Sequence, residues 1–134
     1  SGKIRSRNGL LELFDNLNEV DYFVGIDSRG FIFASALSIT LDKGLILMRK
    51  KGKLPPPVIS ESYTLEYGED SLEIPPGKGR VIVIDDVLAT GGTLTAAINL
   101  CKQAGYIVAD SGVLIDLLFL HGEEINTKSV IEYE

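Results

Sequence analysis

Apolar residues along this chain fall in short blocks, each closed by a polar or glycine-containing stop. Tyr22-Phe23-Val24-Gly25-Ile26 ends at Asp27-Ser28-Arg29-Gly30, which reads as a strand followed by a turn. Phe31 to Leu41 has small and apolar residues with no breaker and predicts a helix, with Gly44 as its C-terminal stop. Leu45 to Met48 predicts a second buried strand, ending at Arg49-Lys50-Lys51-Gly52-Lys53. The Pro55-Pro56-Pro57 run that follows excludes helix interior and central strand. Val58 to Glu73 is polar and mixed, the pattern of a long loop or a flexible β-ribbon, and Pro75-Pro76-Gly77 marks a turn.

The plainest strand is Arg80 to Ile84, with β-branched residues at 81, 82, 83 and 84. It is expected to give way to Asp85-Asp86 and a Gly91-Gly92 turn. Thr93 to Ala104 predicts a helix with Leu94, Ala97, Ile98 and Cys101 on one side, closed by Gly105. Tyr106 to Leu118 predicts one or two strands, broken near Asp110-Ser111-Gly112, and Ser129 to Tyr133 a last short one. Near the start, apolar residues at 10, 11, 13, 14 and 17 predict a helix over about Asn8 to Asn18. Apolar strands alternating with helices argue for an α/β domain, a parallel sheet covered by helices on both faces. In such sheets ligands sit beyond the carboxyl ends of the strands. Three of those ends here are polar and contain glycine: 27–30, 49–53 and 85–93.

Composition narrows the function classes. The 134 residues favour one domain, 1–134, and 45% hydrophobic with 24% charged residues fits a globular one. A net charge of −6 argues against nucleic acid as partner. No apolar run approaches the ~20 residues that span a bilayer, and the first residues carry no basic–apolar–small signal. Cys101 is the one cysteine, which excludes an internal disulfide and fits a reducing, cytoplasmic setting. His121 is likewise alone, so a Cys/His metal cluster is excluded.

The chemistry gathers at Ala89-Thr90-Gly91-Gly92-Thr93, between a predicted strand and a predicted helix. Two glycines permit close approach of a ligand, the helix start offers unpaired N–H groups and a positive dipole end, and Thr90 and Thr93 add hydroxyls. Together these suit a phosphate. The same residues would also serve as an ordinary turn with Thr93 as helix N-cap. Asp85-Asp86 at the end of an all-apolar strand are poorly placed for burial unless something pairs with them. Vicinal hydroxyls of a sugar, or Mg²⁺ reached through water, would do so; a solvated strand end with a capping Asp is the alternative. Neither a Walker A sequence nor a Gly-x-Gly-x-x-Gly fingerprint is present.

The run from Val81 to Thr93, a hydrophobic strand, two acidic residues, a spacer and Thr-Gly-Gly-Thr, resembles the phosphoribosyl pyrophosphate (PRPP) motif of type I phosphoribosyltransferases. Val24 to Phe31, Arg49 to Pro55 and Tyr63 to Gly68 look like the adenine phosphoribosyltransferases in particular, and all four stretches occur in the family order. The resemblance runs from about Asp21 to Gly122 and implies the type I phosphoribosyltransferase fold with a flexible catalytic loop. It implies purine salvage in which PRPP and adenine give AMP and pyrophosphate with Mg²⁺, in a cytoplasmic homodimer. By resemblance, Ala89, Thr90, Gly91, Gly92 and Thr93 hold the 5-phosphate, and Asp85 and Asp86 face the ribose hydroxyls and the developing oxocarbenium charge. Arg29, Arg49 and Lys53 meet the pyrophosphate. Glu66 exchanges a proton with the purine, Tyr67 lies beside it on the loop, and Leu117 is a weak base contact whose bland alternative is core packing. No side chain is expected to ligate the metal directly; it would come with PRPP and touch Asp85 or Asp86 through water.

This sequence departs from the family pattern in three places. The Phe-Pro-x-x-Gly-x-x-Phe-Arg-Asp segment that forms a hood over the base is not found, and Lys3 to Arg7 is too short to replace it, so the expected domain has this hood missing or abbreviated. Pro56 and Pro57 differ from the family, which usually has Gly after Lys-Leu-Pro, and His121-Gly122-Glu123-Glu124 keeps the family's Gly-x-Glu shape but has Glu where a basic residue is common. Two further readings are a phosphoribosyltransferase for another base, such as xanthine, hypoxanthine or orotate, and a non-catalytic PRPP- or nucleotide-sensing regulator on the same fold.

Overall fold

Val81, Ile82, Val83 and Ile84 are all buried, because the strand that carries them is covered on both faces. The computed structural model describes residues 4–6, 14, 17–65, 68–88, 92–117 and 128–133. Its elements are β1 (Ile4–Ser6), a single 3-10 turn (Leu17–Glu19), β2 (Tyr22–Ile26), α1 (Gly30–Leu41), β3 (Gly44–Lys50), β4 (Ile59–Leu65), β5 (Gly68–Ile74), β6 (Gly79–Leu88), α2 (Gly92–Ala104), β7 (Tyr106–Leu117) and β8 (Lys128–Tyr133). One eight-stranded sheet has the order β1-β8-β7-β6-β2-β3-β5-β4.

The centre of the sheet, β8-β7-β6-β2-β3, is parallel, as the alternation of strands and helices predicts. Its edges are antiparallel: β1 beside β8, and the β4–β5 ribbon beside β3. Side chains alternate across β6. Ile82 and Ile84 join Phe23, Ala34 and Leu37 under α1, while Val81 and Val83 join Val24, Leu94, Leu100 and Cys101 under α2. Phe14 closes the first cluster, its ring 6.4 Å from that of Phe23. Burial pushes the Cys101 thiol up to about 12, so it behaves as a small core residue.

Several expectations need correction. β6 does not stop before the acidic pair; it runs through Asp85 and Asp86 to Leu88, because β7 is long enough to pair Asp85 with Val113 and Leu88 with Asp116. β7 is not broken at 110–112. The irregularity there is a register shift in which Val81 and Ile82 pair with Val108 and Asp110, leaving Ala109 out of the register, a bulge rather than a break. Gly44 does not stop α1. Asp42 does, in the left-handed region at φ 55°, and Gly44 already begins β3, where a side chain would run into the Tyr22 ring. For the polar 58–73 stretch the ribbon alternative holds: it is an antiparallel pair, β4–β5. Of the helix expected over 8–18, Leu17 falls in a 3-10 turn and most of the rest lies outside the described residues. Among the described residues, no helix is long and apolar enough to cross a membrane.

Candidate functional site

Three parallel strands, β3, β2 and β6, end side by side, and their ends with the start of α2 and one face of β4 enclose a cavity of about 570 Å³. It is lined by Asp27, Ser28, Arg29, Lys50, Lys53, Tyr63, Asp85, Asp86 and Thr93. Polar side chains of both signs therefore converge where sheet topology places a ligand.

The floor is built from β2 and β6. Gly30, the first residue of α1, lies so close to β6 that an added Cβ would sit 2.7 Å from the Ile84 carbonyl oxygen and 3.2 Å from Asp85 Cα. Only glycine allows that approach. Its result is electrostatic: the Asp85 carboxyl is raised to about 7, chiefly by burial and then by the Asp86 carboxylate, while the Asp86 N–H and Arg29 act the other way. Asp86 donates its N–H to Asp85 Oδ1 at 2.9 Å, and its own carboxylate meets Arg29 Nε at 2.8 Å. The pair thus sets two carboxyl groups side by side, suited to the two hydroxyls of a diol.

The basic wall follows β3. Asp27, at the end of β2, is only 6% exposed at its side chain. It accepts the Lys50 N–H at 3.2 Å and lies 3.6 Å from Arg49 Nε and 4.0 Å from Lys53 Nζ. One buried carboxylate therefore gathers the start of a turn holding four cations, Arg49, Lys50, Lys51 and Lys53. Arg49 also sits 6.0 Å over the Phe31 ring, at the outer range of a cation–π contact. Lys50 Nζ reaches Asp70 at 3.2 Å, which raises the lysine; the Ser71 N–H and then Lys50 hold Asp70 below the usual carboxylate range. Tyr63, raised chiefly by burial, stands between Asp70 and the Thr93 hydroxyl.

The structure brings Arg29, Lys53, Asp85, Asp86 and Thr93 to one cavity, with Gly92 opening α2 beside it. Arg49 is one residue behind the lining, paired to Asp27. Leu117 ends β7, where its backbone pairs with Tyr133, and its side chain lies outside the described ones. Glu66, Tyr67, Ala89, Thr90 and Gly91 lie outside the described residues; Leu65 and Gly68, which flank the first two, pair at the ribbon's end. Sequence reasoning met Asp27, Ser28, Lys50 and Tyr63 only inside longer stretches and gave none of them a role of its own. Asp27 carried a signal, as a third carboxylate at a strand end; where Tyr63 faces is decided by the fold of the ribbon.

Residues 5–126 match the phosphoribosyl transferase domain family. The chain is 54% identical over 115 residues to an adenine phosphoribosyltransferase of Bdellovibrio bacteriovorus, covering 86% of this chain and 70% of that protein. It is 48% identical over 120 residues to one of Hydrogenovibrio crunogenus, covering 87% and 70%. Among solved structures, adenine phosphoribosyltransferase of Thermoanaerobacter pseudethanolicus superposes with a TM-score of 0.77 at 39% identity over 84% of this chain and 70% of that one. The Saccharomyces cerevisiae enzyme, complexed with an imino-altritol bisphosphate and adenine, gives 0.75 at 37% identity over 82% and 65%. The chain thus spans roughly two thirds of the length of these relatives.

Proposed function

The chain belongs to the phosphoribosyltransferase family, and on that premise we infer that it transfers a 5-phosphoribosyl group from PRPP to adenine, giving AMP and pyrophosphate in purine salvage. The observation that carries this is the division of one cavity into a basic wall, Arg29, Lys50 and Lys53, an acidic floor, Asp85 and Asp86, and a helix start at Thr93. A ligand with a pyrophosphate, a diol and a second phosphate has a partner for each part.

In the reaction the C1–O bond to pyrophosphate breaks, the bond from C1 to N9 of adenine forms, and N9 loses its proton. Arg29 and Lys53, with Arg49 behind them, would hold the leaving group more strongly as its charge develops. Asp85 and Asp86 would fix the ribose hydroxyls and stabilise positive charge at the sugar. Gly92 and Thr93, with Ala89, Thr90 and Gly91, would hold the 5-phosphate at the start of α2. Glu66 would accept the N9 proton, with Tyr67 beside it, and Leu117 would touch the base. Asp85 or Asp86 would hold Mg²⁺ through water, and the chemistry the ion would supply is neutralisation of phosphate charge.

We propose further that the chain works as a cytoplasmic homodimer. α1 is apolar on nearly every side, and on it Ile39 is 82% exposed, with Ile32 also exposed about two turns earlier, a surface suited to a second copy. The test of function is turnover with PRPP, Mg²⁺ and a panel of bases. AMP formation is expected. Preference for hypoxanthine, xanthine or orotate would reassign the base, and PRPP binding without any turnover would make the chain a sensor. Light scattering at micromolar concentration tests the dimer.

A further inference from the structure

Glu73 is a carboxylate near the C-terminal end of β5, only 8% exposed, and the transfer reaction has no use for it. A buried charge is costly unless its oxygens are bonded. Both are. Gly52 donates its N–H to Oε1 at 2.6 Å, and Ser60 its hydroxyl to Oε2 at 3.2 Å. Glu73 also sits where three strands meet, opposite Arg49 of β3 on one side and Ser60 of β4 on the other.

The Gly52 N–H belongs to the turn that carries Lys50 and Lys53 into the cavity. Gly52 has φ +85°, and an added Cβ there would meet nothing within 4 Å, so the backbone conformation rather than space calls for glycine. That conformation aims its N–H at Glu73. Pairing of β3 with β5 covers only Arg49 and Lys50. Beyond it the turn is tied by the Lys51 N–H to Ser71 O at 3.2 Å and the Lys53 N–H to Lys50 O at 3.3 Å. Four like charges within five residues repel one another, and an anchor is needed to keep two of them facing one ligand. Asp27 anchors the turn from the cavity side, Asp70 holds the Lys50 ammonium at 3.2 Å, and Glu73 anchors the turn from the sheet side.

We propose that Glu73 is a positioning residue for pyrophosphate: it clamps the turn at Gly52 so that Lys50 and Lys53 are preset for the leaving group. This rests on the transferase function inferred above. Because β5 continues to the end of the ribbon at Gly68, the same clamp ties the basic wall to the strand pair that carries residues 66 and 67.

The experiment compares wild type, Glu73→Ala, Glu73→Asp and Glu73→Gln for binding of magnesium pyrophosphate and of AMP by calorimetry, and for KM of PRPP and of adenine. Ala removes the acceptor. Asp keeps the charge but retreats by one methylene from Gly52. Gln keeps an oxygen that can accept the Gly52 N–H. Ala and Asp are expected to weaken pyrophosphate binding and raise KM for PRPP about tenfold, the scale of one lost bond to a charged group. AMP binding should change less than about twofold, and Gln should stay within about threefold of wild type. Should Ala fail to fold, the Asp–Gln contrast carries the test. Equal losses for pyrophosphate and AMP, or Asp matching Gln, would overturn the proposal. Absence of turnover in wild type would instead strike the transferase function, since the binding contrast is measured without it.

Discussion

Arg29 Nε lies 2.8 Å from Asp86 Oδ2, so the cation expected at the pyrophosphate is paired with a carboxylate expected at the ribose. The pair spans from the start of α1 to β6 and links two parts of one ligand site. Substrate that engages both groups must part them or bridge them.

That arrangement predicts a separation of stability from binding. The Arg29 side chain is 78% exposed, and exposed ion pairs contribute about 0–1 kcal/mol. Arg29→Ala is expected to lower unfolding free energy by less than about 1 kcal/mol, while KM for PRPP rises about tenfold or more, the scale of a lost charged contact. A large loss of stability with unchanged KM would contradict it. Denaturant titration and initial rates measure the two.

Asp85 predicts a pH dependence of stability. Its carboxyl is raised from 3.8 to about 7, chiefly by burial. The folded state therefore holds a proton that the unfolded state releases first. The contribution is fully present below about 3.8 and is lost as pH rises through about 7. Asp85→Asn should remove this dependence, so wild type loses stability relative to the variant between those values. Parallel curves of denaturant midpoint against pH would count against it.

Gly30 predicts a steric link between packing and the site. In Gly30→Ala the new methyl would lie 2.7 Å from a backbone oxygen on β6, so α1 or β6 must move. The expected cost is about 1–3 kcal/mol, the range for overpacking. Because the displaced segment carries Asp85, kcat/KM should fall with it. A variant of wild-type stability and activity would show that the contact relaxes freely.

Glu66 predicts a split between chemistry and binding. If it exchanges the purine proton, Glu66→Gln should lower kcat by about 10²- to 10⁴-fold, the usual range for a general base, and leave PRPP affinity within about twofold. Equal loss of both would remove the acid–base role. Single-turnover rates with calorimetry separate these outcomes.

Much of this was legible in the chain because it is local. A run of β-branched residues at 81–84 can only be satisfied by burial on both faces, and glycine and threonine after two aspartates mark where a helix start meets a strand. Strand boundaries were less legible. Asp85 and Asp86 look like the end of a strand until β7 is seen to pair beyond them, and Asp110 to Gly112 look like a break until the bulge absorbs them.

The stretch from Val81 to Thr93 by itself determined a buried strand leading to a helix start of the kind that suits an anion, since spacing and residue type are properties of neighbours in sequence. Only the tertiary structure decided which groups share the cavity with it. Asp27, Lys50 and Tyr63 come from elements distant in the chain, and Asp85 is raised because Gly30 lets α1 close over it. Burial and proximity across strands have no signature in local pattern; they arise when the sheet forms and the ends of β3, β2 and β6 meet.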